Sequence, residues 1–506
     1  MNADLGHRRQ VSLERLAAER FDLLVIGAGI VGSRIAYEAA SDGLSVALVD
    51  AGDFGGATSS ASSKLLHGGL RYLSTGDFGL VRRLQAERWA IGTRIAPHLT
   101  EPLPLVLAVE GSSRLSRAKL NAALPLYGAL GGCRRPFPRR LSAEAAGASI
   151  GALLGRSGSS FGLVTEAITH DARLTLSTVR AAVDAGATAA NHLPVLELAC
   201  RRGRVRGAVL EDRLTGERLR VRSRAVVNAA GPWLDAVRRL EDAGAAPIVR
   251  LSKGVHVVVP LLDEWRAGLA LFDDSSTAIA IPWQGMLLLG TTDSPRDDPE
   301  RVEIDQAEIR QVLGRFAGVL EPEQLREDRI VQAFAGFRVL ARGKQPTAHA
   351  RRRHVVATGS GGMVSIAGGK LTAHRLIAME ALRCLPPAVR PRRRPPRGAP
   401  LGEPCTPATA SLLWGRLDTA SAAHLVRLYG DDARRVVAYD DALERIDPNG
   451  PDVWAQVDYA RDEEWALTAA DVVERRTALA ARGLASAPVL DAVRERLARR
   501  PELSIF

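Results

Sequence analysis

The apolar run Leu23 to Ile26 has no polar position inside it, the pattern of a strand buried on both faces. Helical spacing follows through Ala40, Gly43 punctuates it, and the β-branched stretch Ser45 to Val49 predicts the next strand. Asp171 to Ala185 is spaced as a helix and leads through Gly186 into another strand. The stretch "RVRGAVLEDRLTGERLRVRSRAVVNAAGP" predicts a hairpin turning at Leu214 to Gly216, then the apolar strand Ala225 to Asn228. Valines at 255, 257, 258 and 259 put His256 inside a strand, and "LLLG" ends a strand just before Thr292 and Asp293. "MVSIAGGKLTAHRLIAMEAL" predicts strand, glycine turn and helix. Beyond residue 400 the pattern changes: "SAAHLVRLYG" and "EEWALTAADVVERRTAL" have only helical periodicity.

The first strand meets Gly27, Gly29 and Gly32 in G-x-G-x-x-G spacing, and the second ends on Asp50. Each part has a physical use in holding a dinucleotide. Gly27 makes the tight turn, Gly29 lets a pyrophosphate approach the backbone, and Gly32 lets helix pack on strand. The helix start offers N–H groups to phosphate, and Asp50 accepts from a ribose hydroxyl. An acid at this position argues against a 2′-phosphorylated cofactor but does not separate NAD from FAD. Elsewhere, Gly231 closes the small-residue end of the strand at Asn228. Gly368 and Gly369 open a second helix, fit either to face a cofactor or simply to pack a turn.

Length and charge then narrow the classes. A chain of 506 residues calls for two or three domains. Its net charge of +11 admits nucleic acid, anionic lipid or an acidic substrate, and equally a solvated basic surface. Tyr127 and Phe137 are too sparse for a nucleic-acid stacking platform. The four cysteines lack C-x-x-C spacing, so neither a metal site nor a disulfide framework is expected. Residues 1–20 read as an N-terminal extension without the features of a secretory signal, and no stretch is apolar enough to span a membrane.

After Asp50 comes "AGDFGGATSSASSKLLHGGLRYL", a long hydroxyl- and glycine-rich segment suited to an extended pyrophosphate and flavin. Thr58, Ser59, Ser60 and Lys64 are expected nearest the cofactor's phosphates; His67 has no assigned role. Together with "VIGAGIVG", "RIAPHL", "VVNAAGPW", "SKGVHVVVP", "LLLGTTDSP", "FAGFRVL" and "SIAGGKLT", this order of motifs resembles the FAD-dependent glycerol-3-phosphate dehydrogenase family from about Asp22 to about Thr477. The resemblance implies an α/β fold in which a Rossmann-like FAD-binding domain is interleaved with a mixed-sheet substrate domain, followed by an all-α domain. The expected boundaries are 21–385 for the interleaved pair, with insertions at about 95–165 and 245–340. A stiff Pro/Arg linker at 386–400 and a helical domain at 401–506 complete the chain, the latter for packing or oligomer contacts.

The resemblance also implies roles. His256 is the general base or orienter of the substrate hydroxyl, Arg338 polarises the reacting oxygen, and Arg71, Tyr72 and Lys370 bind a phosphorylated substrate. Leu371 and Thr372 join the glycines of the second turn at the cofactor. Taken alone, a histidine in a strand such as His256 is usually a satisfied core or edge residue, and Thr292 binds substrate or caps a turn. Three positions depart from the family pattern: Val339 replaces a proline, Arg353 an acid, and Ala373-His374 a Thr-Tyr pair. Residues 103–140 mix apolar runs with Arg114, Arg117, Lys119, Arg134, Arg135, Arg139 and Arg140, as an insertion touching anionic lipid would. The expected activity is oxidation of sn-glycerol 3-phosphate with electrons passed to a membrane quinone, at the cytoplasmic face of the cell membrane, with a homodimer as a possible assembly. The rivals are an oxygen-using oxidase, action on a related polyol phosphate or hydroxy acid, and a non-catalytic flavin-binding membrane protein.

Overall fold

The computed structural model describes residues 7–73, 75–109, 114–150, 160–272, 277–300, 302–343, 354–391 and 400–499. Two large sheets share the chain. The first runs in the order Val355–Thr358, Val364–Ala367, Arg218–Asn228, Arg20–Ile26, Val46–Val49, Thr188–Ala190. From Val364–Ala367 to Thr188–Ala190 it is parallel, and residues 23–26, Val46–Val49 and residues 225–227 are apolar and buried because helices cover them. Helix Ile30–Ser41 packs against Asp171–Asp184 and His374–Arg383 on one face. The hairpin Arg204–Glu211 and Arg218–Asn228 forms where the sequence places it, with Gly216 at φ +75° in its turn.

The second sheet is mixed. Its order is Ser294–Arg296, Val249–Pro260, Met286–Gly290, Thr277–Trp283, Gly268–Phe272, Thr100–Val109, Ser160–Thr169, Leu65–Leu66, and Gln332–Ala341 pairs with the far edge of Val249–Pro260. Its strands come from chain segments lying between those of the first sheet, so the chain passes repeatedly from one sheet to the other. This is the expected α/β architecture.

Four stretches differ from expectation. Residues 1–20, read as an extension, carry helix His7–Ala18, whose Leu16 is fully buried and whose Arg9 guanidinium binds Asp212 at 2.9 Å and the Asn191 carbonyl at 3.0 Å. "EEWALTAADVVERRTAL" is not one helix. Trp465 sits at φ +55°, and Thr468 accepts from the Asp471 N–H in a capping box that starts a new turn at Ala469–Asp471. In the 103–140 region, Thr100–Val109 is a core strand and Leu120, Leu124 and Tyr127 of helix Arg114–Leu130 are buried on the sheet. Only part of that region is therefore exposed. Of the Pro/Arg stretch, Pro387–Val389 forms a 3-10 turn, and residues 392–399 lie outside the described residues. No helix among the described residues is long and apolar enough to cross a membrane.

At Gly32 a Cβ would overlap the Gly27 carbonyl oxygen, so the glycine sets how closely the helix approaches the first strand's turn. Gly32→Val is expected to cost about 3 kcal/mol through overpacking, whereas Gly79→Ala, with open space at its Cβ, stays near wild type. Chemical denaturation of both variants checks the contrast.

Candidate active site

The turn after the first strand holds Gly27 at φ +99°, where a Cβ would lie 2.5 Å from the Ala229 carbonyl oxygen. Helix Ile30–Ser41 then starts at Gly29 with no side-chain cap from that residue, while Ser59 Oγ accepts from the Ile30 N–H at 2.9 Å. Its positive dipole end is thereby left for an anion. Asp50 accepts from the N–H groups of Ala28 (2.6 Å) and Gly52 (2.9 Å). Burial is the largest influence on its carboxyl and pushes the pKa up to about 6, Asp53 adding to the rise while the two N–H groups and His192 oppose it.

The segment that follows is anchored differently from expectation. Lys64, expected near the phosphates, points away from the cavity. Its Nζ donates to Asp171 at 2.8 Å and to the Ser60 carbonyl at 2.6 Å, in a buried ion pair between the Trp283 and Phe334 rings. Ser60 does not face the cavity either; its hydroxyl donates to the Ala57 carbonyl. Thr58 and Ser59 do face it, the Thr58 hydroxyl donating to the Phe337 carbonyl at 2.8 Å and so tying the segment to the second sheet. His67 is placed as a connector. Its Nδ1 lies 3.2 Å from the Gly69 N–H and its Nε2 3.1 Å from Lys370 Nζ, two contacts that compete for the single acceptor nitrogen of a neutral imidazole.

On the second sheet, His256 is 3% exposed, stacked on Phe334 with ring centroids 5.0 Å apart, and opposite Gly290, where any Cβ would strike the imidazole. Its Nε2 is 2.9 Å from Ser63 Oγ, and its buried Nδ1 has no hydrogen-bond partner among the described residues. Burial, then the charges of Arg338 and Lys64, press its pKa down to about 3, so the ring is neutral at pH 7. Arg338 donates to Thr291 Oγ1 at 2.9 Å and to Ser252 Oγ at 3.3 Å, and Ser252 in turn bonds the Asp293 carboxylate. Gly254 leaves the space that the guanidinium fills. Thr292, a candidate for substrate contact, instead accepts from the Val255 N–H at 3.0 Å and faces away from the cavity; Thr291 takes the cavity position. Lys370 Nζ stands 4.1 Å over the Tyr72 ring, and Arg71 lies beside Tyr72 on the same 3-10 turn.

These parts line one cavity of about 2010 Å³. Gly27, Gly29, Asp50, Thr58, Ser59, Gly231, Gly368, Gly369, Leu371 and Thr372 lie on its walls, as do Arg71, Tyr72, His256, Arg338 and Lys370. It exceeds the range of about 300–1,000 Å³ usual for one small ligand, and suits a dinucleotide with a substrate beside it. A family model described as FAD dependent oxidoreductase matches residues 22–375. The chain belongs to the FAD dependent oxidoreductase family. A second model, the C-terminal domain of alpha-glycerophosphate oxidase, matches residues 369–504. Among curated relatives of this flavoprotein, glycerol-3-phosphate dehydrogenase 2 of Mycobacterium tuberculosis (strain ATCC 25618 / H37Rv) is 37% identical over 74% of the chain and 64% of the relative. The aerobic glycerol-3-phosphate dehydrogenase of Staphylococcus haemolyticus is 33% identical over 74% and 69%. The chain thus spans just under two thirds of the length of the mycobacterial relatives. In fold it is similar to the glycerol-3-phosphate dehydrogenase of Bacillus halodurans complexed with FAD, with a TM-score of 0.72, 24% identity and 97% of each chain covered.

The cofactor is FAD, and the glycine at the helix start, the positive-φ turn and the Asp50 carboxylate fit it. Ser63, Thr291 and Ser252 escaped the sequence reading, as did Glu166. The Glu166 carboxylate receives the Gly68 N–H at 3.0 Å together with Tyr127 and Arg88. The Ser62-Ser63 pair before Lys64 and the Thr-Thr after Gly290 are the available signals; the sequence favours Ser59 and Ser60 over the first pair, and Thr292 over Thr291. Of the departures from the family pattern, Val339 is buried in an apolar cluster with Leu251 and Phe337. His374 is fully buried with Nδ1 2.7 Å from the Leu371 carbonyl oxygen, and Arg353 lies outside the described residues.

A ribose hydroxyl donates best to the ionised Asp50, so cofactor binding lowers this pKa and affinity must fall once the free protein takes up the proton. FAD affinity is expected to hold above pH 6 and to weaken below it, by at most about tenfold per pH unit. Flavin-fluorescence titrations from pH 5 to 8 test this; a flat profile would remove Asp50 as the acceptor.

Proposed function

We propose that this flavoprotein oxidises sn-glycerol 3-phosphate to dihydroxyacetone phosphate and passes the electrons to a membrane quinone. The observation that carries the reading is the neutral imidazole of His256 lining the same cavity as Arg338, Arg71, Lys370 and the glycine turns. Secondary-alcohol oxidation needs a group to take the hydroxyl proton while hydride leaves carbon, and a phosphate dianion needs fixed cations. FAD, when bound, supplies the two-electron acceptor. His256 takes the proton, Arg338 holds the oxygen as it becomes a carbonyl, and Arg71 and Lys370 bind the phosphate. A ring with pKa near 3 is a weak base in the free protein. The arriving dianion offsets the field of Arg338 and raises its basicity when it is needed. The names of the curated relatives support the same substrate.

A lipid-soluble acceptor is supported by the apolar side chains on the cavity lining, among them Leu70, Leu73, Leu105, Leu120 and Phe272. Phe78 and Leu126 belong to the same lining and are 46% and 38% exposed. Trp89 and Phe137 are also exposed, with Arg134 over the Trp89 ring and Lys119, Arg135, Arg139 and Arg140 at the surface. Such a surface suits peripheral contact with anionic lipid on the cytoplasmic face. The family model named for alpha-glycerophosphate oxidase favours a second reading, in which oxygen is the acceptor.

Anaerobic addition of sn-glycerol 3-phosphate is expected to bleach the flavin, and a quinone analogue to restore its colour without oxygen. Peroxide production and no reoxidation by quinone would favour the oxidase, and no bleaching by any phosphorylated polyol would end the dehydrogenase reading. His256→Asn is expected to slow anaerobic flavin reduction by about 10²-fold or more with FAD retained. An unchanged rate in stopped flow would take the proton role from this residue.

A further inference from the structure

The C-terminal helices show no ligand pattern in sequence, yet Asp471 and Arg475 line the same cavity as Asp50, Gly52 and His192. They stand there because Asp53, three residues past Asp50, is the anchor for this part of the chain. Its carboxylate receives Arg475 Nε at 2.6 Å, Arg476 Nη2 at 2.8 Å and Asn191 Nδ2 at 3.1 Å. Arg475 also binds Asp471 at 2.9 Å, and Asp471 is held in turn by the Leu467 and Thr468 N–H groups, both at 2.9 Å. His192 faces this cluster at φ +56°, with Nε2 3.5 Å from Asp471 and no hydrogen bond to it. Three carboxylates, Asp50, Asp53 and Asp471, thus crowd one end of the cavity, with Arg475, Arg476 and His192 as the facing cations or cation-forming groups.

We propose that the C-terminal segment is part of the FAD site: Asp471 and Arg475 wall its ribose end, and Arg475 positions Asp50 for the cofactor by balancing the charge of Asp53. Arg475 is a positioning residue, acting through Asp53. Without the Arg475 guanidinium, Arg476 alone pairs with Asp53, and the less balanced Asp53 charge favours the protonated form of Asp50, which accepts poorly from a ribose hydroxyl. The direction agrees with the upward influence of Asp53 on the Asp50 carboxyl. Asp471 has the opposite sign: neutralising it leaves Asp50 more easily ionised. The inference rests on the FAD assignment and on the role of Asp50, not on the substrate.

The test uses the full chain, with FAD affinity measured by flavin fluorescence from pH 5 to 8 and no substrate present. Arg475→Met is expected to move the midpoint of the pH dependence up by about one unit, weakening FAD binding about twofold at pH 7 and about tenfold at pH 5. Arg475→Lys, which keeps the charge, should return the midpoint to near wild type. Asp471→Asn should move the midpoint down. Opposite shifts distinguish electrostatic positioning from mere loosening, which would weaken binding at every pH without moving the midpoint. If Arg475→Met does not fold, the sign of the Asp471→Asn shift decides. Midpoints unchanged in folded variants, or shifted the same way in both, overturn the proposal. A wild-type profile that is flat overturns the role of Asp50 and this inference together, while leaving the substrate reading untouched.

Discussion

Lys64 and Asp171 meet at 2.8 Å with side chains 5% and 0% exposed, and much of the site is hung on that contact. A charge buried this deeply is tolerated only with a close partner, and removing one member of such a pair costs about 3–5 kcal/mol. Asp171 does more than neutralise. It also receives the Ser62 N–H at 3.1 Å and the Ser62 hydroxyl at 2.6 Å, while the Lys64 carbonyl takes the Thr169 N–H. Residues 62–64 are therefore fixed to the junction of strand Ser160–Thr169 and helix Asp171–Asp184. From that anchor Ser63 reaches His256, Leu65–Leu66 joins the edge of the second sheet, and the chain runs on to Arg71 and Tyr72.

The same pair shapes the electrostatics around His256. Phe334 separates Lys64 from His256, stacking on the imidazole while the ammonium lies 5.0 Å from its ring centre. The imidazole is kept neutral by burial and by cations on two sides, which is the state a proton acceptor requires. Room for these groups comes from glycine on neighbouring strands: Gly290 opposite His256, Gly254 beside Arg338, and Gly336 beside Ala61. A methyl group at any of the three would intrude on the ring, the guanidinium or the junction segment. The constraint is geometric and lies on the strands rather than in the loops.

How much of this the sequence disclosed depends on how far apart the partners lie. The glycine turn, Asp50 and the strand carrying His256 were legible, because spacing within some thirty residues determines them. The α/β fold was legible from alternating patterns and from family motifs. Lys64 was misread because its partner, Asp171, is 107 residues away and no local pattern marks the pair. Ser63 was passed over for Ser60, three residues earlier, and Thr291 for its neighbour Thr292, since strand pairing and a buried turn, not composition, decide which of several nearby hydroxyls faces a cavity. Arg475 was invisible for the same reason, lying 422 residues from Asp53.

Distance along the chain also explains why the fold is built on buried arginines. Arg9, Arg34, Arg173 and Arg476 are among its largest fully buried side chains. Three of them find their acids far off: Arg9 in Asp212, Arg173 in Glu464, Arg476 in Asp53. Each pair joins a different part of the chain to the first sheet or to the helices on it. A misdocked helix would leave a guanidinium and a carboxylate buried without partners, a cost larger than most single apolar contacts can offset. In this chain the arginines therefore act as registration points, permitting only the arrangement in which remote segments enclose a common cavity. One end of the cavity shows the consequence most directly, since the carboxylate that anchors the C-terminal helices stands three residues from Asp50 on the cavity wall.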